Sequence, residues 1–226
     1  STWALITGAS DGIGLGFTHA LLSKGFNILL HGRNEAKLAS LATTLHTQYP
    51  SAEIRTVLAD ASTFTPSDIE RIRTTASSLP GPLTVLINNV GGAPPVPDPY
   101  TSLAETSPET IDTIISMNLR FPVHLTRSLL PLLQSHPPSL ILNVGSAAGE
   151  VGIPYLSTYC GSKAFNLRWS QALAAEMVVA QGHDGVEVLG VLVGNVMSGS
   201  NKIGDGFFTC DSRTMAEEAL GKVGWG

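Results

Sequence analysis

Thr7-Gly8-Ala9-Ser10-Asp11-Gly12-Ile13-Gly14 stands directly after a short apolar run, Trp3–Thr7, and directly before a stretch of helical spacing that reaches residue 24. Glycine permits a tight turn and a close backbone approach. The N-terminus of the helix that follows offers free N–H groups to an anion such as a pyrophosphate. The spacing is Gly-x3-Gly-x-Gly, unlike the Gly-x-Gly-x-x-Gly of longer dinucleotide-binding domains. Many strand–helix turns need glycine for steric reasons alone, but the place of this one, after the very first strand, favours phosphate binding. Gly8, Ser10, Asp11, Gly12, Ile13 and Gly14 are therefore candidate cofactor-binding residues.

Outward from this turn, apolar β-branched runs at 3–7, 27–31, 53–59, 83–88, 139–144 and 186–193 read as strands. Helical spacing fills 12–24, 34–48, 66–78, 108–134 and 158–181. Such alternation implies βαβ units and a parallel sheet covered on both faces. The strands are apolar throughout, as a sheet buried on both sides requires. The expected fold class is α/β, a Rossmann-type doubly wound parallel sheet in a three-layer α/β/α single domain over residues 1–226. No repeat or linker divides the chain. The Pro-rich stretch GGAPPVPD at 92–99 follows the fourth strand, at the edge where open α/β sheets bind ligands, and reads as a stiff site loop more readily than as a PxxP peptide.

Of the 226 residues 43% are hydrophobic, enough for a sizeable core. The 13 basic and 18 acidic side chains leave a formal net charge of −5 with no basic stripe, so no nucleic-acid partner is expected. Cys160 and Cys210 read as thiols of a reducing compartment. No apolar stretch reaches the roughly 18 residues that span a bilayer. A cytoplasmic location is expected, or association with the endoplasmic-reticulum membrane if an N-terminal anchor was removed. His19, His46, His124, His136 and His183 lack metal-ligand spacing among themselves or with the cysteines, so no metal is expected.

The end of the second strand chooses the cofactor. A carboxylate there bonds the ribose hydroxyl of NAD and repels a 2′-phosphate. Here stands His31-Gly32-Arg33-Asn34, with no acid until Glu35. Arg33 can pair with the phosphate, or stand solvated at a helix start; the missing acid favours NADPH. Asp60 accepts from the adenine amino group or caps the turn that follows it. In Asn88-Asn89-Val90-Gly91, Asn88 is expected to tie strands together while the backbone of Val90 and Gly91 lies against the ribose.

Ser146 follows the fifth strand, and Tyr159-Cys160-Gly161-Ser162-Lys163 follows thirteen residues later. Positions i and i+4 share a helical face, so phenol and ammonium project together. A neighbouring cation is expected to lower the pKa of Tyr159 and fit it for proton transfer. Lys163 can also hold the nicotinamide ribose, and Ser146 can meet charge developing on a substrate oxygen. Asn118, in the long helix at 108–134, is expected to interrupt that helix and hold a water that feeds protons toward Lys163. Tyr-x-x-x-Lys alone is a common accident. The order of the whole set gives it meaning: glycine turn, NNVG, Asn118, Ser146, then Tyr159 and Lys163.

On these residues the chain resembles a single-domain short-chain dehydrogenase/reductase over nearly its whole length. TGASDGIG (7–14), KGFNILL (24–30), NNVGG (88–92) and SKAFN (162–166) bring it nearest the 17-beta-hydroxysteroid dehydrogenase and very-long-chain 3-oxoacyl-CoA reductase branch. The resemblance implies a catalytic tetrad of Asn118, Ser146, Tyr159 and Lys163, an NADP(H) cofactor, and reduction of a ketone on a greasy substrate. It also implies an N-terminal membrane segment, which residues 1–226 do not contain, and a last strand and tail near Gly226. Where the family commonly has Pro-Gly after the sixth strand, this chain has Val193-Gly194-Asn195-Val196-Met197-Ser198. Ser198 then stands where a threonine meets the carboxamide, and Val196 and Ser198 are the expected cofactor contacts there.

The substrate pocket is expected from loops near 92–100, 150–156 and 198–213. Ile153, Pro154, Tyr155, Phe207 and Phe208 suit a small apolar carbonyl substrate, or else a partner subunit. Cys160 reads as helix packing. Phe165, Trp169, Leu173 and Met177 form a stripe that is either core or, by resemblance, the interface of a homodimer or homotetramer. Two other functions fit the fold. A non-catalytic NADPH sensor would be expected to lack one of the four catalytic residue types, and none is missing. An isomerase or cyclase of natural-product biosynthesis finds room in the unusual 193–213 segment.

Overall fold

Six apolar runs become parallel strands: β1 (Trp3–Thr7), β2 (Asn27–Gly32), β3 (Ile54–Leu58), β4 (Leu83–Asn88), β5 (Ser139–Val144) and β6 (Val186–Val191). They lie in one sheet in the order β3-β2-β1-β4-β5-β6. The computed structural model describes residues 1–92, 101–182, 184–197 and 209–224. Strand side chains alternate between two faces, and each face is covered. Ala4, Ile6, Ile28, Leu30 and Ile87 meet Phe17, Leu21, Leu38 and Met215 from α1 (Gly12–Ser23), α2 (Glu35–Gln48) and α7 (Ser212–Leu220). Trp3, Leu5, Leu29, Leu86 and Ile141 meet Ile72, Phe121, Leu125 and Met177 from α3 (Pro66–Ser77), α5 (Phe121–Gln134) and α6 (Ser157–Gln181). Each such buried side chain contributes about 1.5–3 kcal/mol, far more than helix propensity, so the sheet's two apolar faces fix where the helices lie.

The chain leaves β1 for β2 and β3, then returns to β4 on the other side of β1. The connections after β1 and β4 therefore diverge and leave a crevice at the strands' C-terminal ends, the usual ligand position in such sheets.

The helix expected over 108–134 is three pieces: α4 (Pro108–Ile115), a π-helical turn (Ser116–Arg120), then α5. Pro122 supplies the reason. It has no N–H, so the Asn118 carbonyl has no donor four residues on, and the chain takes a wider turn in which Phe121 N–H reaches Ser116 O. A second, two-stranded parallel sheet, β7 (Asn195–Met197) and β8 (Thr209–Asp211), and helix α7 were not expected. Asp211 starts α7 by accepting from the N–H groups of Arg213 and Thr214 at 2.9 and 3.0 Å. The substrate loop expected at 198–213 thus ends in regular structure, and its residues 198–208 lie outside the described residues. So do 93–100 and His183. Among the described residues no helix is long and apolar enough to cross a membrane.

Candidate active site

The glycine turn is fixed to the end of β4. Thr7 Oγ donates to Ile87 O at 3.1 Å and accepts from the N–H groups of Asn89 and Val90 at 2.9 and 3.0 Å. Asn89 Nδ2 donates to Thr7 O at 2.8 Å. Gly8 and Gly12 hold φ of +64° and +49°, a region costly for other residues. At Gly14 a side chain would overlap the Gly8 carbonyl and the Asn89 amide, so α1 can approach β1 only over glycine. Asp11 caps α1 by accepting from Gly12 N–H at 2.7 Å, and Ser10 is half-buried in the same turn. Gly8, Asp11, Gly12 and Ile13 line a cleft of about 290 Å³ that continues past Val90 and Gly91 to Ser146, Tyr159 and Lys163.

Thr7 and Asn89 are functional supports that the sequence reading missed. The signal was the Asn-Asn doublet at a strand end, where Asn88 closes β4 and Asn89 opens the turn beyond it. Asn89 borders the cleft. Asn88 ties strands together, as expected: it is buried, and its amide donates to Thr126 Oγ and Asn143 Oδ1, each at 2.8 Å, which joins β4 to β5 and α5. Its side chain is absent from the cleft lining, so its place among the cofactor-binding candidates is as a support.

The four tetrad residues converge from three elements. Ser146 follows β5 and opens a 3₁₀ turn (Ala147–Gly149), accepting from Ala148 N–H at 3.2 Å. Its hydroxyl bonds the Tyr159 phenol. Tyr159 and Lys163 lie in the first turns of α6, and Lys163, only 5% exposed, donates from Nζ to Val144 O at 3.2 Å. Asn118 is 2% exposed; its side chain accepts from Gly92 N–H at 2.9 Å and donates to the carbonyls of Gly92 and Ile114 at 2.8 and 3.0 Å. Gly91 is the hub. A Cβ there would lie 2.5 Å from Asn118 Oδ1 and 3.3 Å from Lys163 Nζ.

The electrostatics correct one expectation. Burial, which penalises phenolate, pushes Tyr159 above its ordinary value, and the Ser146 bond offsets only part of this. Lys163 does not reverse it: its Nζ sits 5.8 Å from the ring centroid, and burial pulls its own pKa down to about 8. The phenol therefore keeps its proton at neutral pH, which suits a proton donor.

At the β2 end, Arg33 is largely exposed and its Nη1 lies 3.8 Å from Asp60 Oδ2. Asp60 caps its own turn, accepting from the backbone and hydroxyl of Ser62 at 2.9 and 2.6 Å. Burial works to raise its pKa, but the two Ser62 bonds and Arg33 leave it below the ordinary value. The turn-capping reading thus holds for one carboxylate oxygen, and the other faces Arg33. Lys37, absent from the sequence reading, spans from α2 to Asp11 Oδ2 at 2.8 Å. Val196 turns its side chain into the core, which leaves only its backbone to face a ligand. Ser198 lies outside the described residues.

Comparison with known proteins agrees with this geometry. Residues 2–203 match the family model described as short chain dehydrogenase. The chain belongs to the short-chain dehydrogenase family. This dehydrogenase is 38% identical over 223 residues to a very-long-chain 3-oxoacyl-CoA reductase of Neurospora crassa, covering 99% of this chain and 65% of that protein. A reductase of the same description from Scheffersomyces stipitis is 39% identical over 203 residues, 87% of this chain and 57% of the relative. The chain thus spans less than two thirds of the length of these relatives. Among solved structures, a short-chain dehydrogenase from Sphingobium yanoikuyae in complex with NADPH shares the fold with a TM-score of 0.83 and 24% identity, covering 98% of this chain and 84% of that one. An NADPH-bound short-chain oxidoreductase from Pseudomonas aeruginosa is 25% identical with a TM-score of 0.75, covering 87% of this chain and 72% of that one.

Val151, Ile153 and Tyr155 are exposed on the loop that leads into α6, with Tyr155 at φ +67°. Pro154 is exposed with them, while Phe207 and Phe208 lie outside the described residues. Of the α6 stripe, Leu173 and Met177 are core; Phe165 is 40% exposed and stacks on Trp169 with ring centroids 6.4 Å apart. Cys160 is buried, in keeping with a packing role.

Proposed function

We propose that this dehydrogenase is an NADPH-dependent ketoreductase of apolar ketones, with Asn118, Ser146, Tyr159 and Lys163 as its site. The observation that carries the reading is the junction in one cleft of the glycine turn with a Ser146–Tyr159 pair whose phenol is held protonated. The residues present fit a dinucleotide. Gly8, Gly12 and the α1 N-terminus let backbone N–H groups face the phosphate end of the cleft, and Arg33 puts a cation, not an acid, beside the β2 end. NADPH, when bound, supplies a hydride to the carbonyl carbon.

The chain's own residues do the rest. Ser146 and Tyr159 hold the substrate oxygen between two hydroxyls, so the charge that develops there meets donors already in place. Tyr159 passes its proton to that oxygen, which becomes the alcohol, and solvent restores the proton. Lys163, charged below about pH 8, stabilises the phenolate left behind and can reach the nicotinamide ribose. The Asn118 carbonyl, denied its helical partner by Pro122, is placed to hold a water on the path that reprotonates this pair.

Two features support a long apolar substrate of the 3-oxoacyl type. They are the exposed Val151, Ile153 and Tyr155 on the loop that leads into α6, and the names of the relatives. A homodimer or homotetramer is part of the same reading, with Phe165 on the exposed face of α6 as its natural contact. The test is NADPH oxidation against 3-oxoacyl thioesters, steroid ketones and polyketide-type ketones, with NADH and Tyr159→Phe alongside. Turnover that needs Tyr159 on at least one class is expected. NADPH bound but never consumed on the whole panel would overturn the reading in favour of an isomerase, a cyclase or a sensor.

A further inference from the structure

We infer that Lys37 is a second cofactor-selecting residue, a cation held by Asp11 over the mouth of the nucleotide cleft to receive the 2′-phosphate of NADPH. The inference rests on the NADPH reading above and assigns a new residue to it. Asp11 is the cap of α1 and lines the cleft; Lys37 belongs to the first turn of α2, 26 residues further on. Two local bonds fix where the lysine stands. Asn34, cap of α2, accepts from Lys37 N–H at 2.9 Å, and Asp11 Oδ2 accepts from Lys37 Nζ at 2.8 Å. The ion pair therefore ties the start of α1, where Asp11 lines the cleft, to the first turn of α2.

An adenosine whose pyrophosphate lies at the α1 N-terminus directs its ribose toward the β2 end, so its 2′ position falls near the start of α2. Arg33 stands just after β2, loosely held by Asp60 at 3.8 Å, and Lys37 stands in the first turn of α2, held by Asp11. Both cations remain partly exposed, with side chains 71% and 48% accessible. An ammonium carries three donors and Asp11 takes one, so the lysine can give another to a phosphate without leaving its anchor. A 2′-hydroxyl would gain little from either cation, whereas a phosphate dianion gains from both. Arg33 alone would not explain why a carboxylate, Asp11, is tolerated at the mouth of an anion site. Its pairing with Lys37 does.

The test is equilibrium binding of NADPH and NADH without substrate, followed by nucleotide fluorescence, for the wild type, Lys37→Gln and Lys37→Arg. Loss of one charge-assisted bond to phosphate predicts NADPH affinity about tenfold weaker in Lys37→Gln, with NADH affinity within about twofold of wild type. Lys37→Arg, which keeps the charge and the reach, should stay within about threefold of wild type for both nucleotides. A wild type that prefers NADPH together with a Lys37→Gln variant that binds it equally well overturns the inference alone. Equal losses of NADPH and NADH in Lys37→Gln overturn it too, since they would make the lysine a brace for the turn. A wild type that binds NADH as tightly as NADPH takes down the cofactor reading and this inference with it.

Discussion

Replacing Lys163 by methionine should remove turnover and make the fold more stable. Lys163 is 5% exposed, and its ammonium donates to Val144 O at 3.2 Å. Burial lowers its pKa from 10.5 to about 8. That difference, about 2.5 units at 1.36 kcal/mol each, is a cost of about 3 kcal/mol for carrying the charge in the folded state. The cost is full below the folded pKa, where both states bind the proton. It fades as pH rises from about 8 toward 10.5, because the folded lysine has lost its proton while the unfolded one keeps it. Methionine has similar length and no charge, so at pH 7 Lys163→Met should gain about 1–3 kcal/mol, less whatever the Val144 bond returns. Urea unfolding followed by circular dichroism at pH 7, 8, 9 and 10 measures this gap between variant and wild type. The gap should shrink by about 2 kcal/mol between pH 8 and 10. A variant less stable than wild type at pH 7, or a gap indifferent to pH, would refute the reasoning.

Gly91→Ala should lower stability by about 1–3 kcal/mol and cut turnover sharply, since the new methyl would lie 2.5 Å from Asn118 Oδ1 and 3.3 Å from Lys163 Nζ. A thermal melt and a rate matching wild type would disprove the close packing. Asn118→Ala strips Gly92 of both its side-chain bonds and should destabilise by about 2 kcal/mol in urea titrations. An unchanged midpoint would show that the amide clamp contributes nothing. Because burial keeps Tyr159 protonated and holds Lys163 near 8, reductive kcat/KM should be flat near neutral pH and fall as pH passes about 8. A profile that climbs through that range would contradict the assignment of Tyr159 as proton donor.

The inner sheet was legible because a strand buried on both faces leaves an apolar run, as β1, β2, β4 and β5 do; the edge strand β3 exposes Arg55 and Thr56, and there the alternation of strands with helices carried the reading. The tetrad was legible because its order along the chain carries the information: a turn, a strand end, a helix break, a strand end and a helix start each deliver one group to the same edge. What was missed required knowing which residues meet. The break at Asn118 was expected, but its cause is Pro122, four residues on. Asn88 was expected to tie strands, but the part of Asn89 was not: it stands one residue past the end of β4, where the fold brings it to Thr7 and the cleft. Lys37 reads as a solvated helix lysine until the fold brings Asp11 within 2.8 Å.

The pKa of Tyr159 shows why such errors run in a definite direction. Helical spacing puts an ammonium on the same face as a phenol, and from spacing alone the cation's attraction for phenolate is the only effect in view. The fold adds a second effect of opposite sign, because the crevice that brings the pair together also takes it out of water. Desolvation penalises phenolate and ammonium alike, raising one pKa and lowering the other. The pair is thus drawn toward its neutral forms, a phenol with a proton to give and a lysine that titrates near 8. That is the state from which reduction of a ketone can begin.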